Sequence, residues 1–298
     1  MTTMKRAVRA AFAAAGQVNA VWHVYKLLNM LARILAEPLH QADRARCSAS
    51  AAADALRLSP DLTVLNGPFA GMRYTEARSA GSTLVPKILG SYERELQPLI
   101  EKSLAAGYSD VVDVGCAEGY YAVGLAMRLP SARVHAFDTD AEARRLCHAL
   151  AAANGVDDRL DLRALCDEAT LLALPLGPRA LVISDCEGYE DALFTAPVAA
   201  CLARHDVLIE VHDLADASLG GRLRERFAPT HDHVVIDSVD DVRKPRTYAF
   251  AELDCFDVAT RRRLLSEGRG MVMEWLFFTP RKAPYKPSLR SRRAMSIA

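Results

Sequence analysis

The chain has 298 residues, 51% of them apolar, enough for one α/β domain of ordinary size with additional elements. Lysine plus arginine equals aspartate plus glutamate at 37 each, so net charge gives no argument for a nucleic-acid or anionic-membrane partner. Aromatics, at 7%, are too sparse for a base-stacking platform, and seven scattered cysteines without a Cys-x-x-Cys pair fit reduced thiols in a cytoplasmic protein.

At the start, Lys5, Arg6 and Arg9 precede the short run Ala10–Ala15, which breaks at Gln17 and Asn19 before it can form a signal-peptide core. Val21, Val24, Leu28, Leu31 and Leu35 then follow at helical spacing, interrupted by Lys26, Asn29 and Arg33. That stripe is amphipathic and does not suit a bilayer span; it predicts a helix packed on the main domain or on a second copy of the chain. Residues 1–60 are therefore read as a helical extension, with possible homo-oligomers formed through it. Asn66-Gly67-Pro68 and Ala70-Gly71 mark residues 61–90 as a connecting hairpin or loop segment.

From residue 91 the texture becomes a regular alternation of helices and apolar strands. Leu96, Leu99, Ile100 and Leu104 predict a helix. Strands are expected at 111–114, 133–137, 160–165, 180–184, 207–211, 233–236 and 271–278, with helices at 121–128, 142–153, 191–204 and 221–227. This rhythm predicts a Rossmann-like, doubly wound α/β sheet over residues 91–280. The last residues, 281–298, carry Arg281, Lys282, Lys286, Arg290, Arg292 and Arg293 and no acid, and are read as a disordered, solvated tail.

Ligands in such sheets bind beyond the carboxyl ends of the strands, near the first strand–turn–helix. That place holds Asp113-Val114-Gly115-Cys116-Ala117-Glu118-Gly119. A dinucleotide loop would need glycines where Ala117 and Tyr120 stand, so a pyrophosphate is disfavoured. The acids Asp113 and Glu118 suit a cationic sulfonium carrying an α-amino group better than a phosphate. Asp138 ends the next strand 19 residues past Gly119, where a carboxylate can take both hydroxyls of a ribose. Cys166 and Asp167 end the third strand and could flank an adenine; helix capping is the lesser alternative for Asp113 and Asp167.

These residues resemble class I S-adenosylmethionine (SAM)-dependent methyltransferases, whose first motif runs D-x-G-x-G-x-G with a variable middle glycine. Asp185-Cys186-Glu187-Gly188-Tyr189-Glu190 is similar to the D-V-E-G-x-E signature of the FkbM type. Gly90-Ser91-Tyr92-Glu93, Asp113-Val114-Gly115 with Gly119-Tyr120-Tyr121, and Ala136-Phe137-Asp138 extend the likeness over residues 89–278. The resemblance implies seven strands with the last antiparallel, SAM as methyl donor, and a hydroxyl acceptor on a sugar or natural product. It places Tyr92, Glu93, Asp113, Gly115, Cys116, Gly119, Asp138, Cys166, Asp167 and Asp185 at the cofactor. Two departures stand out: Ile183 occupies the place of a frequent lysine, and the ribose carboxylate is aspartate rather than glutamate. The N-terminal helices and residues 239–270 fall outside the match.

Methyl transfer to an alcohol is an in-line displacement that needs positioning and a base for the acceptor's proton. Asp185, Glu187 and His212 are the candidate catalytic groups at the ends of the fourth and fifth strands. Glu190 is read as opening the next helix and Glu210 as lying in a polar network beneath the site. Hard oxygen ligands there would also suit Mg²⁺, but acids that orient an acceptor without metal are the simpler expectation, and the cysteines are read as small buried hydrophobes. An RNA or protein methyltransferase, or a non-catalytic SAM-fold interaction protein, are the alternatives. The first is disfavoured by the acidic mouth and by the lack of an N/D-P-P-Y/F motif after the fourth strand.

Overall fold

The computed structural model describes residues 24, 26, 28, 30, 46–214 and 216–281. The chain divides into two units, 1–51 and 52–298, and the second is described here. The amphipathic stripe at the start, its expected part in self-association and the basic tail lie outside the described residues, save for the few helical positions before residue 51. Among the described residues no helix is long and apolar enough to cross a membrane.

Seven strands form one sheet: β1 (Asp110–Val114), β2 (Arg133–Phe137), β3 (Leu160–Arg163), β4 (Ala180–Ser184), β5 (Asp206–Val211), β6 (His231–Asp237) and β7 (Glu274–Pro280). Their order is β3-β2-β1-β4-β5-β7-β6, with β7 antiparallel to both of its neighbours. The Rossmann-like sheet with an antiparallel last strand is therefore present. β1, β4 and β5 are buried along their whole length, as strands covered by helices on both faces must be. On one face Val112, Val182, Val207 and Leu276 pack with Phe194, Val198, Leu223 and Phe227, and Phe227 stacks on Phe278 with ring centroids 4.3 Å apart. Burying each of these large side chains contributes about 1.5–3 kcal/mol, which fixes the strand ends firmly.

Register places the site. Val114 pairs with Phe137 on one side and Ser184 on the other, and Ser184 pairs with Ile209. Gly115, Asp138, Asp185 and Glu210 each follow one of these four level residues, so one sheet edge collects them. The strand order reverses between β1 and β4, which is where a doubly wound sheet opens a crevice. Because β7 runs antiparallel with Val211 opposite Glu274, the segment leading into β7 arrives beside the end of β5.

Several elements differ from expectation. β3 stops at Arg163, freeing residues 164–166 to turn inward. The helix expected over 191–204 is two helices, Glu190–Leu193 and Ala196–Cys201; Thr195 caps the second through the Val198 N–H, and Pro197 sits in its first turn. Residues 61–90 hold an isolated antiparallel bridge, Thr63 to Arg73, and an unforeseen helix, Leu84–Leu89. Residues 239–270 supply the helices Lys244–Thr247 and Val258–Leu265.

Candidate active site

A cavity of about 380 Å³ opens at this edge. Its floor is the loop after β1, and two features fix the loop's path. Gly115 has φ 85°, and a Cβ there would lie 1.7 Å from the Asp185 carbonyl oxygen, so no other residue fits between β1 and β4. Asp138 holds the other side: its Oδ2 accepts from the Ala117 N–H at 2.8 Å and its Oδ1 from the Asp140 N–H at 2.8 Å. Ala117 is thereby kept at φ 49°, a conformation costing of order 1 kcal/mol that persists because the surroundings impose it. Phe137, Leu165 and Cys166 give this half an apolar wall.

Asp113 is buried at the end of β1 with its Oδ2 lacking any hydrogen-bond partner. Burial, with the nearby Asp185 charge adding to it, pushes its carboxyl up to about 7. The second acid of the loop, Glu118, has another role. It accepts from Lys87 Nζ at 2.6 Å, Ser79 Oγ at 2.9 Å, Tyr74 OH at 3.2 Å and the Ala80 N–H at 3.0 Å. The acid expected to attract a cation is neutralised, and it anchors the 74–80 segment so that Ala80, Gly81 and Ser82 reach the cavity. Lys87 itself lies 4.9 Å from the Tyr92 ring centroid.

The other half, at β4, β5 and the approach to β7, is ionic. His212 Nδ1 lies 2.6 Å from Glu190 Oε1. Its Nε2 faces Asp185 Oδ1 at 3.4 Å, Glu187 Oε2 at 3.6 Å and Glu210 Oε2 at 3.9 Å. Glu187 holds φ 52°, a second non-glycine residue in the left-handed region at the mouth. Behind them, Arg269 pairs with Glu210, with Glu93 at 2.5 Å and with Glu267 at 3.2 Å. Lys244 completes the chain of charges on Glu267 at 2.7 Å. Tyr121 OH also donates to Glu93.

Burial pushes Glu210 up to about 10, with Asp185 and Glu93 adding repulsion. It pushes Glu93 to about 8 against the pull of Arg269. Asp185 is likewise raised by burial, although the His212 side works the other way. Burial would lower His212, but the Glu190 hydrogen bond and the Asp185 charge outweigh it and hold the imidazole above its ordinary value. Burial and mutual repulsion thus raise these acids while the Glu190 hydrogen bond and the Asp185 charge hold His212 up, so environment decides where the cluster keeps its protons. The donor atoms of Asp185, Glu187 and His212, and of Glu93, Asp185 and Glu210, lie within 4.8 Å of one another. In the second group Arg269 already supplies positive charge; no metal is assigned to either.

Tyr92, Asp113, Gly115, Cys116, Asp138, Cys166, Asp185 and Glu187 line the cavity together. Gly119, Glu93, Asp167 and His212 stand outside its lining, His212 one layer behind Asp185. A Cβ on Gly119 would meet Cys147 Sγ at 2.8 Å and Val123 Cγ2 at 3.1 Å, so the packing of the helix Tyr120–Arg128 on Ala141–Ala153 requires a glycine here. Asp167 caps the helix Glu168–Ala173, accepting from the Thr170 N–H at 2.8 Å and Thr170 Oγ1 at 2.6 Å. Glu93 belongs to the Arg269 cluster. Sequence reasoning missed Lys87, Arg269 and Glu267 and gave Glu190 only a helix-opening role. The lone lysine inside Leu84-Val85-Pro86-Lys87-Ile88-Leu89 was the one available signal.

No protein-family model matches the chain, and no curated protein matches it. Solved structures similar to it include a putative O-methyltransferase from Klebsiella pneumoniae (13% identity, 65% of this chain and 81% of that one, TM-score 0.43). The O-methyltransferase TomG from Streptomyces achromogenes, solved with SAM, shares 13% identity over 64% of this chain and 80% of its own, TM-score 0.42. Precorrin-6y C5,15-methyltransferase from Geobacter metallireducens shares 11% over 63% and 89%, TM-score 0.42. The fold assignment rests on the strand order and register themselves.

Proposed function

We propose that this chain is a SAM-dependent methyltransferase of the FkbM type, acting on a hydroxyl of a sugar or natural-product small molecule in the cytoplasm. One observation carries the reading: a glycine-floored cavity, with a strand-end carboxylate on one side and a buried acid–histidine cluster on the other, at the switch point of a seven-stranded sheet with antiparallel β7.

The residues fit the cofactor. Asp138 suits the ribose diol, Phe137, Leu165 and Cys166 suit an adenine, and the orphaned Oδ2 of buried Asp113 suits a positive centre. SAM, when bound, supplies an electrophilic methyl group on a sulfonium. The chain then has to align an acceptor oxygen with that methyl carbon and take up the hydroxyl proton as the new C–O bond forms and the C–S bond breaks. Asp185 orients the hydroxyl, and the Asp185–His212 pair receives the proton. The acids at the mouth disfavour a phosphate-bearing acceptor such as RNA.

Calorimetry with SAM, S-adenosylhomocysteine and NAD tests the reading. One SAM site and no NAD binding is expected; NAD binding without SAM overturns it. With an acceptor found by mass-shift screening, Asp185→Asn should retain SAM affinity and lose turnover by about 10²-fold or more. Normal turnover in that variant removes Asp185 from the chemistry.

A further inference from the structure

We propose that Glu190 is the positioning residue of the site's base: it holds His212 with the proton on Nδ1, so that Nε2 is the nitrogen turned toward Asp185 and the cavity. The proposal rests on the methyl-transfer reading for its purpose, but its geometry stands independently.

Glu190 is the first residue of the short helix after β4, and its side chain is fully buried. A buried carboxylate costs several kcal/mol unless its charge is answered, and an apolar or amide side chain of similar size would fill the space without that cost. Here the charge is answered at Oε1 alone, which sits 2.6 Å from His212 Nδ1 and 3.1 Å from the Gly188 N–H it accepts, while Oε2 is buried without a partner. Burial works against ionisation, yet the hydrogen bonds from His212, its own backbone and Gly188 hold Glu190 below the ordinary carboxylate range. An ionised carboxylate has no proton to donate. His212 Nδ1 must therefore be the donor whether the ring is neutral or cationic, and only Nε2 can exchange a proton.

Nε2 is placed for that exchange. The groups facing the ring are Glu190 on the Nδ1 side and Asp185, Glu187 and Glu210 on the Nε2 side, with Arg269 behind Glu210. The Nε2 separations of 3.4–3.9 Å are too long for committed hydrogen bonds, and the two nearest of these carboxylates, Asp185 and Glu187, line the cavity, so Nε2 faces the cavity side with Asp185 in front of it. A carboxylate fixing one imidazole nitrogen while the other serves a hydroxyl is the general arrangement for activating an oxygen nucleophile. It also divides the labour between the two candidate bases: Asp185, in the lining, meets the hydroxyl, and His212 behind it takes up the proton through that carboxylate.

The test needs no acceptor. The full chain, with ¹⁵N-labelled histidine and saturated with S-adenosylhomocysteine, is titrated by NMR, and His212→Asn identifies the signal among the eight histidines. In the wild type, neutral His212 is expected as the Nδ1–H tautomer; an Nε2–H tautomer overturns the proposal without any variant having to fold. In Glu190→Gln, of like volume, the His212 midpoint should fall by about one pH unit or more, a tenfold change in proton affinity. An unmoved midpoint in a folded Glu190→Gln protein overturns it too. Failure to bind SAM or S-adenosylhomocysteine would instead sink the methyltransferase reading, while the tautomer measurement on the ligand-free chain still decides the role of Glu190.

Discussion

The two halves of the cavity are built by different means. The half beneath β1 and β2 is made of backbone: Gly115 wedged against Asp185, Ala117 tied to Asp138, and a short apolar wall. The half beneath β4, β5 and β7 is made of side chains, with Arg269 and Lys244 set among Glu93, Glu210 and Glu267, and His212 among four acids. A backbone-built half needs a local run of residues, and one substitution in it disturbs one contact. A half built from buried charges needs distant segments, and removing one member strands the others. Under the proposed function, recognition of a common cofactor falls to the first design and proton handling to the second.

The strongest way to break this division is at Arg269. Replacing it by leucine leaves Glu93 and Glu210 buried without their cation. Breaking a buried ion pair costs about 3–5 kcal/mol. The lower end is expected, since both carboxyls already sit high, at about 8 and about 10, and can take up protons. Thermal unfolding should show that loss, while affinity for S-adenosylhomocysteine changes by less than about threefold (under ~0.7 kcal/mol). If affinity collapses along with stability, the halves are one unit.

Asp138→Ala is the mirror experiment. It should weaken SAM and S-adenosylhomocysteine by about 1–3 kcal/mol, the cost of a lost charge-assisted hydrogen bond. Asp138 is partly exposed and its internal partners are two backbone N–H groups, so the melting temperature should move less than for Arg269→Leu. Equal affinities for variant and wild type would place the ribose elsewhere.

How much was legible follows the same division. Asp113-Val114-Gly115 through Gly119 and Phe137-Asp138 are contiguous and sit at strand ends, so periodicity and glycine placement located them, and β2 and β4 fell where their apolar runs begin and end. Periodicity could not say which way Glu118 points, because its destiny depends on Lys87, 31 residues away on a helix too short to show a helical repeat. Nor could it find Arg269, which lies in irregular chain and reaches Glu210 only because β7 turns antiparallel beside β5. Glu190 was visible as the last acid of a motif, but helix-start acids are favoured anyway. Its partner His212 lies across a strand pairing that sequence spacing alone does not reveal.

Asp113 offers a finer probe of the boundary between the halves. Its carboxyl, pushed up to about 7, is largely neutral below that pH and ionised above it. A sulfonium favours the ionised form, so bound SAM should draw the value down and release protons on binding near neutrality, whereas the uncharged thioether of S-adenosylhomocysteine should not. The SAM-to-S-adenosylhomocysteine affinity ratio should therefore rise with pH through about 7 and level off above it, by up to about tenfold if the value moves by one unit. Calorimetry in buffers of different ionisation enthalpy measures both effects. A flat ratio, or one that persists in Asp113→Asn, would mean that the orphaned Oδ2 answers some other group.

The smallest expected effect separates a strand-end acid that holds a helix from one that holds a ligand. Asp167 stands one residue past Cys166, which lines the cavity, and spacing alone offers both roles to it. Its carboxylate is spent on Thr170, through the backbone N–H and the hydroxyl, and those bonds hold it below the ordinary aspartate range. Asp167→Ala should then lower stability modestly, as the loss of an N-cap does. The depressed carboxyl fixes the sign with pH: the contribution is present in full above the ordinary aspartate value, near 3.9, and fades as pH falls through the lowered folded value. Between pH 7 and pH 5 the stability difference between variant and wild type should stay constant, and it should shrink only in stronger acid. SAM affinity should match wild type, because Leu165 and Cys166 line the cavity there and the capped carboxylate does not. Urea unfolding at three pH values and calorimetry at one suffice. A variant that keeps its stability but binds SAM several-fold more weakly would move Asp167 from the helix to the cofactor.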